Sequence, residues 1–541
     1  MSKAKRRTRI ESARRKHWDM IVVGGGITGA GVAREAARRG LSVLVLEQKD
    51  FAWGTSSRSS KMVHGGLRYL AMGDRKLTRE SLLERERLLK EAPGLVERMG
   101  YYFLLPKSWK PWRLVMKLLL ASYDRIAGIK NHKICNNSEL GEAFSKLDQN
   151  GITGAAFYTD AVTDDSRLVY RVLQEAEADG ASLLNYCAVK SSQKADTEHQ
   201  SVEIQDAISG EVFQCKASVI VNSTGAWADR LRQARIDEQR VRPLKGSHIV
   251  LRKGVLPIEH AISCQHPDDK RSVFVFPWEG HSVIGTTDLD YEGSLDQEAN
   301  ISKEELEYLL AIVRHHFPSE SIDRKDIVST WSGVRPVIAG DKQFARAQKA
   351  EQGSADKTRK KPSKERRDHA VWDDDGLISA AGGKLTTFRV MALDVLEKAA
   401  PYLKGWQFER DEAAVFRPGG AKKNAQANLN EDQLDRLEAC YGFRTSDFLA
   451  TAKNEELKPL FDQKTCAAQL RWALREEWVE HLDDLLLRRT RLGLLLPNGA
   501  SQLFELCKTL CQEELEWSEQ RWAEELERYQ DIWHRAYSLP A

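Results

Sequence analysis

The apolar run Asp19-Met20-Ile21-Val22-Val23 leads into Gly24-Gly25-Gly26-Ile27-Thr28-Gly29, and a second apolar run from Leu41 to Leu46 ends on Glu47. This order predicts a strand, a glycine turn, a helix and a second strand. Gly24 allows the tight turn, Gly26 lets backbone approach a pyrophosphate, and Gly29 lets the helix lie close to the strand. The helix N-terminus offers free N–H groups to negative charge, and a carboxylate about 20 residues on suits a ribose hydroxyl. Gly40 is placed to end the helix read from Ala30 to Arg39. An adenine dinucleotide is the ligand such a unit holds.

The residues after Glu47 narrow the choice of dinucleotide. Gly54-Thr55-Ser56-Ser57-Arg58-Ser59-Ser60-Lys61 and His64-Gly65-Gly66-Leu67-Arg68-Tyr69 form a hydroxyl-rich, glycine-bearing stretch. An NAD enzyme has no obvious use for it, whereas a longer cofactor with a flat ring does. The plain alternative is a polar surface loop. Three later segments argue against that alternative. Val219 to Asn222 reads as a strand entering Ser223-Thr224-Gly225-Ala226-Trp227. Lys245-Gly246-Ser247-His248 precedes the strand Ile249-Val250-Leu251. Ser332-Gly333-Val334-Arg335-Pro336 and Ala381-Gly382-Gly383-Lys384-Leu385-Thr386-Thr387 set an arginine, a lysine and two hydroxyls beside glycines.

Together these segments resemble the FAD-dependent glycerol-3-phosphate dehydrogenases, within the broader group that includes D-amino-acid and sarcosine oxidases. The matching motifs are GGGITGAG, TSSRSSKMVHGGLRYL, VNSTGAWAD, KGSHIV, VFVFPWEGHSVIGTTD ending at Asp288, SGVRP and GGKLTTFR, in the family's order over residues 18 to 400. The resemblance implies FAD as cofactor and contacts to it from Gly24, Gly26, Gly29, Glu47, Thr55, Ser56, Ser57, Ser60, Lys61, His64, Gly65, Gly66, Val189, Thr224, Gly225, Gly383, Lys384, Thr386 and Thr387. It implies oxidation of sn-glycerol 3-phosphate to glycerone phosphate, with electrons passed to quinone at a membrane surface.

That chemistry asks for cations on the phosphate, a base for the hydroxyl proton and a polariser for the flavin. Arg68, Arg335 and Lys384 are the candidate cations, each carried by a motif and flanked by glycine. Arginine grips phosphate with a planar two-pronged donor set. The resemblance sets Lys384 near the pyrimidine end of the flavin, where positive charge favours the reduced ring. His248 is the first candidate base, since neutral imidazole accepts a proton near pH 7. His64 is its rival, or else orients the HGG loop, and Tyr69 either hydrogen-bonds substrate or packs.

The implied fold class is α/β. A discontinuous Rossmann-like FAD-binding domain takes residues 18–70, 151–235 and 370–400. A mixed-sheet α+β substrate domain occupies 71–150 and 236–369, and a helical C-terminal domain runs over 401–541. A chain of 541 residues is too long for one ordinary core, so several domains are expected. With 30% charged residues and a net charge of +3, nothing points to nucleic acid as a partner. Eight cysteines without a CxxC pair argue against metal or a disulfide framework, and Cys507 with Cys511 lacks companion ligands.

Local charge is more informative. Residues 1–17 hold eight basic side chains against Glu11 and read as a disordered basic tail, and Lys357 to Arg367 reads as a solvated loop. Residues 106–125 mix Lys107, Lys110, Arg113 and Lys117 with Trp109, Trp112, Leu114, Val115, Met116 and Leu118 to Leu120, a pattern suited to a headgroup boundary or to a helix packed on the core. The resemblance favours the membrane: peripheral attachment to the cytoplasmic face of a bacterial inner membrane. No DxDxDG calcium loop occurs in the C-terminal region, unlike mitochondrial members. Trp522, Leu526, Tyr529 and Trp533 share one helix face, as do Trp478, Leu482 and Leu485, and both sets read as core. The C-terminal domain is similar to the family's cap, suited to membrane docking or homodimer contacts. Three alternatives stay open: an oxygen-using oxidase, an oxidase of 2-hydroxy or amino acids, and a flavin-containing module that binds lipid.

Overall fold

The computed structural model describes all residues except 1–2, 108–112, 197, 234, 237, 339–368, 420–428 and 541. Trp109, Lys110, Trp112 and the Lys357 to Arg367 loop therefore lie outside the described residues.

Two sheets organise the molecule. In the first, Ser182–Leu184, Val43–Leu46, His17–Val23, Val212–Asn222 and Leu377–Gly382 run parallel in that order, and His369–Asp373 closes the edge antiparallel. Its central strands Val43–Leu46 and His17–Val23 are largely buried on both faces, as a covered parallel sheet requires. The helix Ile27–Ala37 lies against the helices Asp165–Ala178 and Phe388–Ala399, where its alanines and Val32 join Leu168, Val172, Ala392 and Leu396 in one core.

The second sheet is mixed and has ten strands. Toward one edge, Val241–Leu251 pairs antiparallel with Ile327–Ile338 and with His281–Gly285. Lys245 to His248, expected just before a strand, thus lie within one. Met62–Val63 and Ile152–Thr163, expected in the cofactor domain, pair in this second sheet instead. The largely buried Ile152–Thr163 strand finds its hydrogen-bond partner in Val96–Pro106, so pairing moves that boundary.

The N-terminal segment departs from expectation. Residues Lys3–Arg15 form a helix, not a disordered tail. Ile10 and Ala13 are buried beneath it against the first sheet, and Arg6 is buried in an ion pair with Asp206. Carboxylates supplied by distant segments answer a run of cations that looks unpartnered in sequence.

Beyond Glu431 the named elements are helical. Trp522, Tyr529 and Trp533 of the helix Glu519–Ala536 are buried, and Leu526 packs with them. Trp478 is also core, but it precedes the π-helical turn Asp484–Arg489 with φ of +55° and so shares no continuous helix with Leu482 and Leu485. That turn carries Arg488 and Arg489 into a buried cluster with Asp50, which follows the second strand of the first sheet. The helical region and the cofactor sheet are joined through charge as well as apolar surface.

Candidate active site

The strand His17–Val23 stops at Gly24, whose φ of +107° and closeness to Ser223 leave no room for a side chain: a Cβ there would lie 2.6 Å from the Ser223 carbonyl oxygen. Gly29 is tighter still, since a Cβ would meet the Gly24 carbonyl oxygen at 1.9 Å. These contacts set the start of the Ile27–Ala37 helix beside the strand end. Its N-cap is Gly26, which has no side chain of its own to cap it, and a glycine-capped helix start suits an anion. The Ser56 hydroxyl accepts from the Ile27 N–H at 3.0 Å and steadies the turn.

Glu47 accepts from the Gly25 N–H at 2.7 Å and from the Lys49 N–H at 2.9 Å. Burial pushes its carboxyl up in pKa against those two bonds. Gly24, Gly26, Glu47, Thr55, Ser56, Val189, Thr224 and Gly225 line a cavity of about 390 Å3. It meets a second, of about 1010 Å3, at Thr55, Ser59, Pro336 and the Gly382 to Leu385 turn. A glycine turn with a glycine-capped helix start, a carboxylate suited to ribose and a wide chamber beyond a waist fit FAD.

Ser60, His64, Gly66, Arg68, Tyr69, His248, Arg335, Gly383, Lys384 and Thr386 all line the chamber. Strand register explains the pairing of two of them. Gly246 stands opposite Gly333, His248 opposite Trp331, and Arg335 two residues beyond Gly333, so the period of two sends these side chains to one face. Glycine clears the space: a Cβ on Gly246 would meet an Arg335 guanidinium nitrogen at 2.0 Å, and one on Gly285 would meet the His248 ring at 2.1 Å.

Arg335 pairs with Asp288 at 2.8 Å and donates to the Thr286 hydroxyl at 3.0 Å. His248 is 1% exposed, stacks on Trp331 with ring centroids 4.9 Å apart, and shares a 2.9 Å hydrogen bond between Nε2 and the Ser60 hydroxyl. Its Nδ1 has no protein partner among the described residues. Burial, then Arg335 and Lys61, hold its pKa well below the usual imidazole value, so the ring is neutral. Lys384 sits at the waist, donating to the Ser81 hydroxyl at 2.9 Å with its ammonium 4.0 Å from the centre of the Tyr69 ring.

Five expected cofactor contacts stand behind the walls. Gly29 is taken up by its contact with the Gly24 carbonyl. The Ser57 carbonyl accepts from Lys61 Nζ at 3.2 Å. The Gly65 N–H is spent on Asp160 at 3.0 Å, and the Thr387 N–H on the Lys384 carbonyl at 3.2 Å. Lys61 requires an outright correction. It is fully buried, paired with Asp165 at 2.8 Å and enclosed by Trp278 and Trp331, and it does not line either cavity. The carboxylate that claims it lies in a helix far along the chain.

Several chamber residues carry no clear mark in the sequence. Asp160 is buried, accepts from the Tyr123 hydroxyl at 2.8 Å and from Arg85 at 2.6 Å, and anchors the HGG loop through Gly65. Burial drives its carboxyl up in pKa despite Arg85. Arg271 and Lys270 stand at the chamber wall, with Arg271 donating to the Thr286 carbonyl at 2.6 Å. No motif marks them. The one available signal was Arg85, a charged residue among the inward positions of the helix Arg75–Glu91.

Comparison with known proteins bears on the fold and the cofactor. Residues 19–389 match the model of the FAD dependent oxidoreductase family, and residues 413–522 match the C-terminal domain of alpha-glycerophosphate oxidase. The aerobic glycerol-3-phosphate dehydrogenase of Staphylococcus haemolyticus is 32% identical over 88% of this chain and 87% of its own length, and that of Staphylococcus epidermidis is 31% identical over 89% and 88%. Among solved structures, the FAD-complexed glycerol-3-phosphate dehydrogenase of Bacillus halodurans superposes with a TM-score of 0.76 at 26% identity, covering 98% of this chain and 97% of its own. L-alpha-glycerophosphate oxidase of Mycoplasma pneumoniae shares the fold, with a TM-score of 0.56 at 16% identity, over 74% of this chain and 98% of that one. The chain belongs to the FAD-dependent oxidoreductases, in the branch formed by the aerobic glycerol-3-phosphate dehydrogenases.

Proposed function

We propose that this protein oxidises sn-glycerol 3-phosphate to glycerone phosphate with FAD as its cofactor and quinone as the final electron acceptor. The observation that carries the reading is the convergence of His248, Arg335 and Lys384 on one chamber that opens onto the dinucleotide channel. Bound FAD supplies the two-electron acceptor for hydride from the substrate carbon.

The protein's own groups do the rest. Arg335, held by Asp288 and Thr286, presents a fixed fork to the phosphate, and Arg68 at the exposed edge of the chamber adds a second cation. His248, neutral and with Nδ1 unspent on protein, takes the hydroxyl proton as hydride leaves. Lys384 places positive charge at the waist, where charge accumulates on reduction. His64 is held by Thr386, whose hydroxyl accepts from the His64 N–H at 3.2 Å, and it shapes the chamber rather than serving as base.

The helix Arg113–Ala127 supports the quinone and membrane reading. Met116 and Leu119 line the chamber, while Leu114, Val115 and Leu118 are 66%, 51% and 63% exposed. One helix thus forms a chamber wall and an apolar outer surface, as a site that draws its acceptor from a lipid phase requires. No helix among the described residues is long and apolar enough to cross a membrane.

Anaerobic mixing with glycerol 3-phosphate, followed by the flavin spectrum, tests the substrate; re-oxidation by a quinone against dissolved oxygen tests the acceptor. Arg335→Ala should lower the second-order rate of flavin reduction by about 100- to 1000-fold, the equivalent of roughly 3–4 kcal/mol. Equal rates and affinities in both proteins would remove Arg335 from the phosphate site. Fast peroxide formation with no quinone advantage would replace the dehydrogenase by an oxidase.

A further inference from the structure

We propose that Lys61 is a positioning residue for His248, a buried cation that sets the imidazole's orientation and its readiness to take a proton from behind the chamber wall. The inference rests on His248 serving as the base.

Lys61 and His248 both pack on the Trp331 indole. The Lys61 ammonium is 4.6 Å from the centre of the Trp331 ring, and the same indole stacks on His248 at an interplanar angle of 18°. Trp278 covers the cation from another side at 5.0 Å. The Trp331 Nε1–H donates to the Ser59 carbonyl at 3.2 Å, so the indole is tied to the loop that carries Lys61. The next residue of that loop, Ser60, holds His248 Nε2. The imidazole is thereby fixed on its flat face and at its edge by one short segment.

That segment is organised by Asp165. One carboxylate oxygen accepts from the Ser59 N–H at 2.9 Å and from the Ser59 hydroxyl at 2.7 Å; the other accepts from Lys61 Nζ at 2.8 Å. Arg491, from the C-terminal region, pairs with Asp165 and also with Asp164 at 3.1 Å. Lys61 has φ of +58°, a left-handed conformation that costs a non-glycine residue stability and persists only where the surroundings impose it. A lysine serving only to fill space among tryptophans has no need of that conformation or of its charge.

Two cations act on the His248 ring: Arg335 from the neighbouring strand and Lys61 from the serine loop. Arg335 is engaged with Asp288 and is expected to be engaged further by a phosphate, whereas Lys61 is sealed from solvent and substrate. Its effect on the imidazole is therefore constant through turnover. Burial, then Arg491, lowers the Lys61 pKa to about 8, so it carries charge at neutral pH.

The test is the pH dependence of flavin reduction by glycerol 3-phosphate in the holoenzyme. Removing the cation raises the proton affinity of His248, so Lys61→Gln should move the acid limb of kcat/KM up by about 0.5–1 pH unit. KM stays within about twofold and the loss appears in kcat, because Lys61 does not touch substrate. Lys61→Arg should restore the limb. The double variant Lys61→Gln/Asp165→Asn, which leaves no lone buried ion at this pair, should shift it in the same direction and guards against a single variant that fails to fold. A 15N-histidine NMR titration, with the His248 signal assigned by its loss in His248→Gln, reads the same shift without turnover, so it stands even if glycerol 3-phosphate does not reduce the flavin. Unmoved limbs and an unmoved His248 titration in flavin-replete variants, or equal shifts in Lys61→Arg and Lys61→Gln, would overturn the proposal.

Discussion

The two ends of the channel are built on different principles. The dinucleotide end is made of backbone: a glycine turn, a helix start with a glycine N-cap and a carboxylate held by two N–H groups, all within residues 17 to 49. The chamber end is made of side chains drawn from many separated segments between residues 55 and 386, kept in place by ion pairs such as Lys61 with Asp165 and Arg85 with Asp160. A backbone site tolerates no added atoms. A side-chain site tolerates no lost charge.

The sharpest way to break the comparison is at Gly29. A valine there would force its side chain into the Gly24 carbonyl, which a Cβ alone already approaches to 1.9 Å, and would lift the helix start from the strand. The purified Gly29→Val protein should be colourless and stay so after reconstitution with FAD, a complete loss where the other substitutions bring partial ones. Full flavin absorbance in that protein would show that the turn does not carry the cofactor.

This contrast also explains what was legible in the sequence. Gly24, Gly26 and Glu47 act through contacts a few residues or one strand away, so spacing alone exposes them. His248 and Arg335 were visible through the short motifs that carry them, and Gly246 in the first of these clears the space that Arg335 fills. Lys61 was expected at the cofactor because its motif points there, while the partner that buries it is 104 positions distant. The N-terminal helix was missed for the same reason, Arg6 finding Asp206 200 positions on. Trp478 follows the helical spacing of Leu482 and Leu485, but its left-handed backbone breaks the helix that spacing implies.

A second change asks whether buried charge holds the helical region to the cofactor sheet as firmly as backbone builds the glycine turn. Asp50 accepts from Arg488 Nε at 2.5 Å, from Arg489 at 2.5 and 2.8 Å and from the Tyr170 hydroxyl at 3.1 Å, all in the interior. Asp50→Asn would leave two guanidiniums short of their counter-charge, at a cost of about 3–5 kcal/mol. The thermal midpoint should fall sharply, while protein isolated in the cold keeps its flavin. An unchanged midpoint would mean that the join between the helical region and the cofactor sheet is carried by apolar contact alone.

The smallest effect compares two histidines whose surroundings push in opposite directions. His248 is buried beside Arg335 and Lys61, and its pKa is lowered. Burial also opposes the charged form of His481, but the 2.8 Å bond to Glu525 and the nearby Asp484 outweigh it and raise that pKa. As pH falls below about 6.5, the ordinary imidazole value, the unfolded chain gains a proton that folded His248 refuses, so this residue costs stability in acid. His481 does the reverse: its contribution is fully present below about 6.5 and is lost as pH rises through its folded value. Each tenfold difference in proton affinity between folded and unfolded chain is worth about 1.4 kcal/mol. Thermal midpoints measured from neutral pH into acid should therefore decline less in His248→Gln than in the wild type and more in His481→Gln. Three superimposed profiles would mean that neither ring feels the buried charge around it, and the contrast between a backbone-built and a charge-built end would lose its electrostatic half.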